Sequence, residues 1–556
     1  MVLGDPVTGK EFFDRNKQTA ILFSTLEDYK KGKKRNIAII GLRKIGKTSL
    51  MKEFIRRLHK SNHGILCLDV YLPENDIQGF FTSCIRGIAI ELLRIMNVPA
   101  KAITLGDALK IVSQTYSKTS VGINNLIEFV GQKKYDDAFN YLFEIFDIVK
   151  AETDNCVIVF LDEFQRLQEY GSSIVSPIDK FRQSVMNQKD ILYIISGSAV
   201  GMLNKLISSS KSPLFGHFET MQLRGFDFAD ASQFILEKKE KTLSISQDNI
   251  AFLFEITNGN PFYLDILMHS IERNCKLNGY SRVSNEVLEQ ALIDEIFQSN
   301  GSIYQYFNSL LEQSLEKGGS IKYTKIIKGI AFGNRRPSQI AKYTNINLTT
   351  LPPYLKRLIE LEIVHRSNAT KKNARVAEYE LVDTLFELWL KQVYSLKEDA
   401  LLRDLSSKMA VFKKQMSNII ADYTTQLGKG DEARIRELFS SFDNDHAYGL
   451  IIPKFDKIER KTLSLNREID AYCHNKEGVW VVEVTKTRIN KAEINNIMDK
   501  VKEIKVDKQV ENVIVISLRG IEEDALELCQ KYGFKVWGIE EVNKLMKRKG
   551  MFKILI

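Results

Sequence analysis

No apolar run in the sequence approaches the length of a membrane span. The opening stretch MVLGDPVTGK lacks the basic start and apolar core of a secretory signal. Neither a membrane protein nor an exported one is expected, and a cytoplasmic location is the default. Cysteine is sparse: six residues in 556, at Cys67, Cys84, Cys156, Cys275, Cys473 and Cys529, with no C-x-x-C pair and no histidine cluster nearby. A disulfide framework and a structural zinc site are therefore not expected. Cys67 and Cys156 fall within apolar runs, where a reduced thiol acts as a small hydrophobe. A hydrophobic content of 44% is ordinary for a globular chain, so no long disordered region is implied. At 556 residues the chain is too long for one core, and three or four domains are expected.

The net charge of +9 is unevenly spread. Between Ile321 and Val376 there are twelve Lys or Arg against Glu360 and Glu362, giving 12 − 2 = +10. Such a block suits a polyanionic partner; a solvated basic face is the plainer reading.

The clearest motif lies near the N-terminus. Arg35–Ile40 reads as a short buried strand running into Gly41-Leu42-Arg43-Lys44-Ile45-Gly46-Lys47-Thr48-Ser49, which fits G-x-x-x-x-G-K-[ST] at every fixed position. Leu50, Met51, Phe54, Ile55 and Leu58 then recur with helical spacing. The two glycines let the backbone wrap around phosphates and present its N–H groups, and the helix N-terminus adds favourable partial charge. Lys47 should reach the β- and γ-phosphates of ATP, with the Thr48 hydroxyl on Mg²⁺. A second apolar run, Cys156–Leu161, ends in Asp162-Glu163, where a parallel strand meets its ligand crevice. Asp162 would hold Mg²⁺ and Glu163 would orient and deprotonate the attacking water. A third run, Ile191–Ile195, ends in Ser196-Gly197-Ser198; Ser198 is the candidate sensor of the γ-phosphate or the water, although Ser and Gly also end strands for ordinary turn reasons.

Taken together these residues resemble the archaeal P-loop ATPases related to AAA+ and STAND proteins. The likeness is carried by Phe12-Phe13-Asp14-Arg15, the phosphate loop, Leu161-Asp162-Glu163, Ser196-Gly197-Ser198, Ser212-Pro213-Leu214-Phe215-Gly216 and Thr257-Asn258-Gly259-Asn260-Pro261-Phe262-Tyr263-Leu264. The resemblance implies an α/β nucleotide domain, a helical lid and a winged helix-turn-helix, with Pro261 and Tyr263 near the base of bound ATP. One departure stands out: after S-P-L-F-G the family usually has Arg, an arginine finger or sensor, and here the residue is His217, with Arg224 and Arg182 as substitutes.

Residues 320–390 fit the winged-helix part of that expectation. Helices are expected over Ile321–Gly329 and Pro337–Tyr343, with a third opening near Thr349-Thr350 and carrying Lys356 and Arg357. Two strands, Ile363–Arg366 and Ala377–Leu381, flank a basic tip holding Lys371, Lys372 and Arg375. A third helix and a wing can enter a major groove and touch phosphates; winged helices also serve as protein contacts. After a helical connector the order α-β-β-α-β from Asp431 resembles the PD-(D/E)XK restriction-endonuclease-like family. That chemistry needs carboxylates and a lysine around Mg²⁺, which the resemblance assigns to Glu432, Asp470 and Glu483. Thr485 stands where the motif wants lysine, and Lys486 reaches the site only if a bulge shifts the strand.

The expected architecture is thus an α/β chain: a P-loop NTPase parallel sheet over 1–225, a helical lid over 226–300, a winged helix over 301–395, a helical linker over 396–427 and a nuclease-like α/β domain over 428–556. The expected function is ATP binding and hydrolysis coupled to duplex DNA, with further copies of the chain as a candidate partner and the oligomeric state left open by the sequence. The rival is a STAND-type switch that assembles with protein partners and carries a degenerate nuclease domain. A protein-remodelling chaperone lacks a recognisable pore-loop signature.

Overall fold

The computed structural model describes residues 5–61, 64–100, 103–170, 176–198, 200–208, 212–315, 320–367, 377–398, 404–427, 430–463, 467–505 and 508–554. The chain divides into two compact units. The first comprises Met1–Phe226, Asn260–Phe262 and Pro352–His365, and the second Asp227–Gly259, Tyr263–Leu351 and Arg366–Ile556.

The first unit runs α1 (Asn16–Lys30), β1 (Asn36–Ile40), α2 (Lys47–Ser61), β2 (Ile65–Tyr71), α3 (Ile77–Ile95), α4 (Leu105–Thr115), α5 (Ser117–Gly131), α6 (Tyr135–Thr153), β3 (Cys156–Asp162), α7 (Pro177–Asn187), β4 (Ile191–Gly197), α8 (Val200–Ser208) and β5 (Phe218–Gln222). Its strands form one five-stranded sheet in the order β2-β3-β4-β1-β5, every pair parallel. Parallel strands need crossover helices, so both faces are covered and the strands read as unbroken apolar runs. Side chains alternate between two cores. Ile37, Ile39, Ile158 and Phe160 pack under α1 and α2 with Leu22, Phe54 and Leu58. Ala38, Val157, Val159 and Tyr193 pack with Phe80, Phe139 and Phe181 from α3, α6 and α7. The helices α3 to α6, inserted between β2 and β3, carried no motif in the sequence.

The second unit begins with α9 (Phe228–Lys238), α10 (Gln247–Thr257), α11 (Pro261–Asn278), α12 (Asn285–Leu292) and α13 (Ser302–Leu315). Pro261 and Phe262, at the start of α11, belong to the first unit. There follow α14 (Ser320–Ala331), α15 (Pro337–Thr344), α16 (Leu351–Glu360) and the paired strands β6 (Val364–Ser367) and β7 (Glu378–Leu381). The three helices lie within two residues of the expected bounds, though the stretch Pro352–His365 clusters with the first unit. Next come α17 (Thr384–Trp389), α18 (Ser395–Glu398) and α19 (Leu405–Leu427). The expected connector is a packed helix: Phe412, Met416, Ile420 and Tyr423 of α19 are buried, and Ser417 Oγ bonds Glu289 at 2.7 Å.

The C-terminal part comprises α20 (Asp431–Ser440), β8 (Asp445–Ala447), β9 (Leu450–Ile452), β10 (Lys457–Thr462), β11 (Glu468–His474), β12 (Val479–Thr485), α21 (Lys491–Lys505), β13 (Val510–Ser517), α22 (Glu523–Tyr532), β14 (Lys535–Gly538) and α23 (Ile539–Arg548). Strands β10 to β14 make a five-stranded sheet in chain order, antiparallel over β10-β11-β12 and parallel over β12-β13-β14. Ile435, Phe439, Val542 and Leu545 cover one face with α20 and α23, while Ile494, Ile497, Val501 and Cys529 cover the other with α21 and α22. Strand β10 and the β8-β9 hairpin add to the expected order.

Candidate functional site

Strand β1 delivers the phosphate loop to the carboxyl end of the sheet. A Cβ on Gly41 would lie 2.5 Å from the Leu223 carbonyl oxygen, so only glycine fits there. Lys44 and Gly46 are left-handed, at φ 63° and 99°, which turns the chain over before α2 starts at Lys47. The Lys47 ammonium donates to Gly41 O at 2.7 Å and Leu42 O at 2.9 Å. Burial pushes its pKa down against the pull of Glu163, Asp162 and Glu362. Ile45 is buried. The Ser49 hydroxyl accepts the Val7 N–H at 3.1 Å and so ties the N-terminal segment to α2. Arg15, from the F-F-D-R stretch, donates to Ile45 O at 3.3 Å and stacks 4.8 Å from the Phe226 ring centre, bracing the loop from outside.

Because β4 lies between β1 and β3, the ends of all three strands converge. Thr48 Oγ1 donates to Asp162 Oδ2 at 2.7 Å, and the Ser196 hydroxyl bonds the other Asp162 oxygen. Thr48 and Asp162 thus present a hydroxyl and a carboxylate to one point, a hard oxygen pair of the kind Mg²⁺ uses beside phosphate and water. Glu163 adopts a left-handed φ of 59°. Its Oε2 accepts from Ser198 Oγ at 2.7 Å and from Gln165 Nε2 at 2.5 Å. Burial pushes the Glu163 carboxyl up, but Ser198, the Lys47 charge and Gln165 together hold it below the usual range. It is an ionised, oriented carboxylate, as a base for water must be. Sequence reasoning missed Gln165, which reaches Glu163 because residue 197 is glycine: a Cβ there would lie 2.4 Å from Gln165 Oε1.

The other expected residues are distributed as follows. Pro261 is half-buried at the start of α11, and the Lys44 ammonium stands 5.2 Å from the ring centre of its neighbour Phe262. Tyr263 is 1% exposed. It packs against Tyr306 and Phe307, and its hydroxyl bonds Asp383. Tyr263 is a core residue of the second unit, with no surface left to stack on a base. Phe262, one residue earlier, is the aromatic that meets the loop. His217 lies at the amino end of β5, where Asn36 Nδ2 donates to its carbonyl at 3.2 Å. Burial, Arg182 and Lys34 push its imidazole pKa down. Five residues of β1 separate this cluster from the loop, or ~16 Å of strand. Arg224 is at the phosphate end, just past Leu223, whose N–H donates to Ile40 O at 2.7 Å. Of the two substitutes, Arg224 is the one placed beside its own chain's loop.

Lys356 is exposed and Arg357 half-exposed, the latter 3.9 Å from Glu360. Lys371, Lys372 and Arg375 lie outside the described residues. The charge count also needs correction. Arg335 pairs with Glu380 at 2.9 Å and Arg336 with Glu378 at 3.3 Å, and both glutamates sit just beyond the end of the counted segment. Counted through Leu381 the excess falls to 12 − 4 = +8.

In the C-terminal sheet, Asp470 and Glu483 lie on neighbouring strands at the β11-β12 pair. Asp470 Oδ2 accepts the Val484 N–H at 2.8 Å. Burial pushes Asp470 up, and Glu432 raises it further against Val484, Lys500 and Arg436. Burial pushes Glu483 up to about 7 even with Lys500 beside it, Asp470 adding to the rise. Two buried carboxylates side by side raise one another's pKa, and positive charge beside them would stabilise the pair. Lys486 does not reach Glu483. The expected bulge is missing: β12 keeps register with β13 from Trp480 through Thr485, and its one shift lies between Val479 and Trp480. Lys486 instead pairs with Asp431 at 3.7 Å and Glu432 at 3.6 Å. The ammonium on Glu483 belongs to Lys500 of α21, 3.0 Å from both oxygens. Its signal in the sequence was a lysine on the apolar stripe of Ile497, Val501 and Ile504. Among the described residues no group of three or more His, Cys, Asp or Glu could hold a metal ion; each pair here would be completed by water, phosphate or backbone oxygen.

A parallel five-stranded sheet, a glycine loop with its lysine and threonine, and an acidic pair on the next strand but one define a P-loop NTPase fold. Residues 12–267 match the model of a family described as an ATPase domain predominantly from Archaea. Among curated proteins, the uncharacterized protein MJECL04 of Methanocaldococcus jannaschii is 22% identical over 240 residues, 43% of this chain and 49% of that protein. The chain thus spans about half the length of that relative. Among solved structures, a Walker-type ATPase of Pyrococcus abyssi aligns over 70% of this chain and 100% of its own, at 21% identity and a TM-score of 0.44. The ORC2 protein of Aeropyrum pernix, in ADPNP-ADP complexes, aligns over 71% and 98%, at 13% identity and 0.43. Among the described residues no helix is long and apolar enough to cross a membrane.

Proposed function

We propose that this chain binds and hydrolyses ATP and uses the cycle to act on duplex DNA, through the α14–β7 segment as a winged helix and through the C-terminal sheet as a nuclease-like domain. One observation carries the ATPase reading: the Glu163 carboxylate is fixed by Ser198 and Gln165, and Ser198, the Lys47 charge and Gln165 hold its pKa down against burial. Lys47 is the ammonium for the β- and γ-phosphates, and its present bonds to two loop carbonyls would pass to phosphate oxygens. Thr48 and Asp162 would hold Mg²⁺, which would supply positive charge to offset that of the phosphates. Glu163 takes a proton from the attacking water while Ser198 and Gln165 keep its carboxylate aimed. The DNA arm of the reading is supported by the helix-helix-helix-hairpin order, by exposed Lys356 and by the remaining basic excess.

A second reading, a nucleotide-controlled switch that assembles with protein partners, draws on the stretch Pro352–His365. Glu362 accepts the Gly201 N–H at 3.2 Å, and Lys205 stands 3.6 Å from Glu360. The Glu362 charge also acts on Lys47. A γ-phosphate would oppose that charge, so nucleotide state and the position of this helix are linked. Measuring ATP turnover with and without duplex DNA, at low and raised salt, separates the two. Stimulation by DNA that fades with salt supports the first reading. An ATP-dependent change in mass without DNA, and no stimulation, supports the second.

A further inference from the structure

We propose that Lys500, on helix α21, is the catalytic ammonium of the C-terminal site, replacing the lysine that β12 lacks; this rests on the nuclease-like reading above. The juxtaposition is specific. Lys500 Nζ makes three hydrogen bonds, to Glu483 Oε1 and Oε2 at 3.0 Å each and to the Glu468 carbonyl at 2.7 Å. All three donors of the ammonium are thereby used. The Lys500 side chain is 13% exposed and that of Glu483 7%, so the pair is held in place and partly shielded from water.

The geometry explains why a lysine from a helix serves here. Along β12, Thr485 shares the Glu483 face but has no charge, and Lys486 points to the opposite face and pairs with Asp431 and Glu432. Helix α21 packs Ile497, Val501 and Ile504 against the sheet. Residue 500 falls on the same stripe, which carries its stem across apolar surface to the strand carboxylate. The bond to Glu468 O anchors the ammonium independently of Glu483. Asp470 and Glu483 would hold a divalent cation, and Lys500, still anchored on Glu468 O, would then turn one of its two Glu483-bound N–H groups toward the attacking water. In the step proposed, the water oxygen forms a bond to phosphorus and the P–O3′ bond breaks. The water's proton passes to solvent, and the departing 3′ oxygen takes a proton from solvent, leaving a 5′-phosphate and a 3′-hydroxyl. Lys500 orients the water and stabilises the negative charge that grows on the phosphoryl oxygens.

The test uses the full chain, supercoiled plasmid and Mn²⁺, with Mn²⁺ binding followed by electron paramagnetic resonance and ATP binding as the control for folding. Lys500→Met should lower the cleavage rate ~100-fold or more, the range seen when one positioned catalytic group is removed. It should keep Mn²⁺ bound and ATP affinity unchanged. Lys500→Arg, which retains the charge, should restore part of the rate, and Glu483→Ala should lose both cleavage and bound Mn²⁺. Cleavage by Lys500→Met at or above the wild-type rate overturns the role, since Lys500 would then be a structural or inhibitory partner of Glu483. Loss of Mn²⁺ in Lys500→Met, or no rescue by Lys500→Arg, overturns it equally. If the wild type binds Mn²⁺ but cuts nothing, the nuclease reading itself fails and takes this proposal with it, while the ATPase reading stands.

Discussion

Replacing Glu163 by glutamine isolates the chemical step from binding. The Glu163 carboxylate takes two hydrogen bonds on Oε2, from Ser198 at 2.7 Å and Gln165 at 2.5 Å. A carboxamide keeps the oxygen for Ser198 but cannot take a proton from water. With its oxygen in the place of Oε2 it keeps the bonds from both Ser198 and Gln165, so the variant should fold as the wild type does. Losing a positioned base costs ~10²–10⁴ in rate, or about 3–5 kcal/mol on the barrier. ATP affinity should hold within about threefold, because the loop amides, Lys47 and Thr48 are untouched and the triphosphate replaces the lost negative charge near Lys47. Single-turnover hydrolysis and a fluorescent-nucleotide titration read the two quantities separately. Turnover within tenfold of wild type would refute the base assignment, and so would an equal loss of binding and rate.

Three further perturbations follow from the packing. Gly41→Ala sets a methyl 2.5 Å from a backbone oxygen; the loop must shift, lowering thermal stability by roughly 1–3 kcal/mol and abolishing detectable ATP binding, and an unchanged melting curve would contradict the close approach to Leu223. Tyr263→Phe removes the donor to Asp383 and should cost about 1–3 kcal/mol of stability while leaving ATP affinity alone; a selective loss of affinity would return Tyr263 to the base site. Glu53 accepts from Arg56, Arg57 and the Gly9 N–H, the Arg56 bond foremost in holding its carboxyl down at about 2 despite burial. With the folded value depressed, its contribution is present above the ordinary range near 4.5 and is lost as pH falls from about 5 toward 2. The shift corresponds to about 3 kcal/mol, which solvent around the half-exposed arginines reduces to ~1–2 kcal/mol. The gap in melting temperature between wild type and Glu53→Gln should therefore close over that interval, and a constant gap would contradict it.

What could be read from the sequence divides along a physical line. The phosphate loop was legible because close backbone approaches restrict residue type at fixed spacings, as Gly41 against the Leu223 carbonyl shows. The acidic pair and Ser198 were legible as a group because adjacent parallel strands end together, so the residues after the apolar runs meet. Groups that arrive from another element were harder. Gln165 enters through a gap left by Gly197, and Lys500 crosses from α21 to a carboxylate 17 positions away in the chain. Neither spacing belongs to a fixed motif. The basic block was overread for a related reason. Its arginines look unopposed in the chain, yet Glu378 and Glu380 on β7 stand opposite Arg336 and Arg335 once the strand folds back. Tyr263 is buried while Phe262 meets Lys44, because a single step along a helix turns the side chain by about 100°. Local constraints on the backbone survive in a sequence read alone; side chains whose partners are set by packing, such as Lys500 on Glu483, do not.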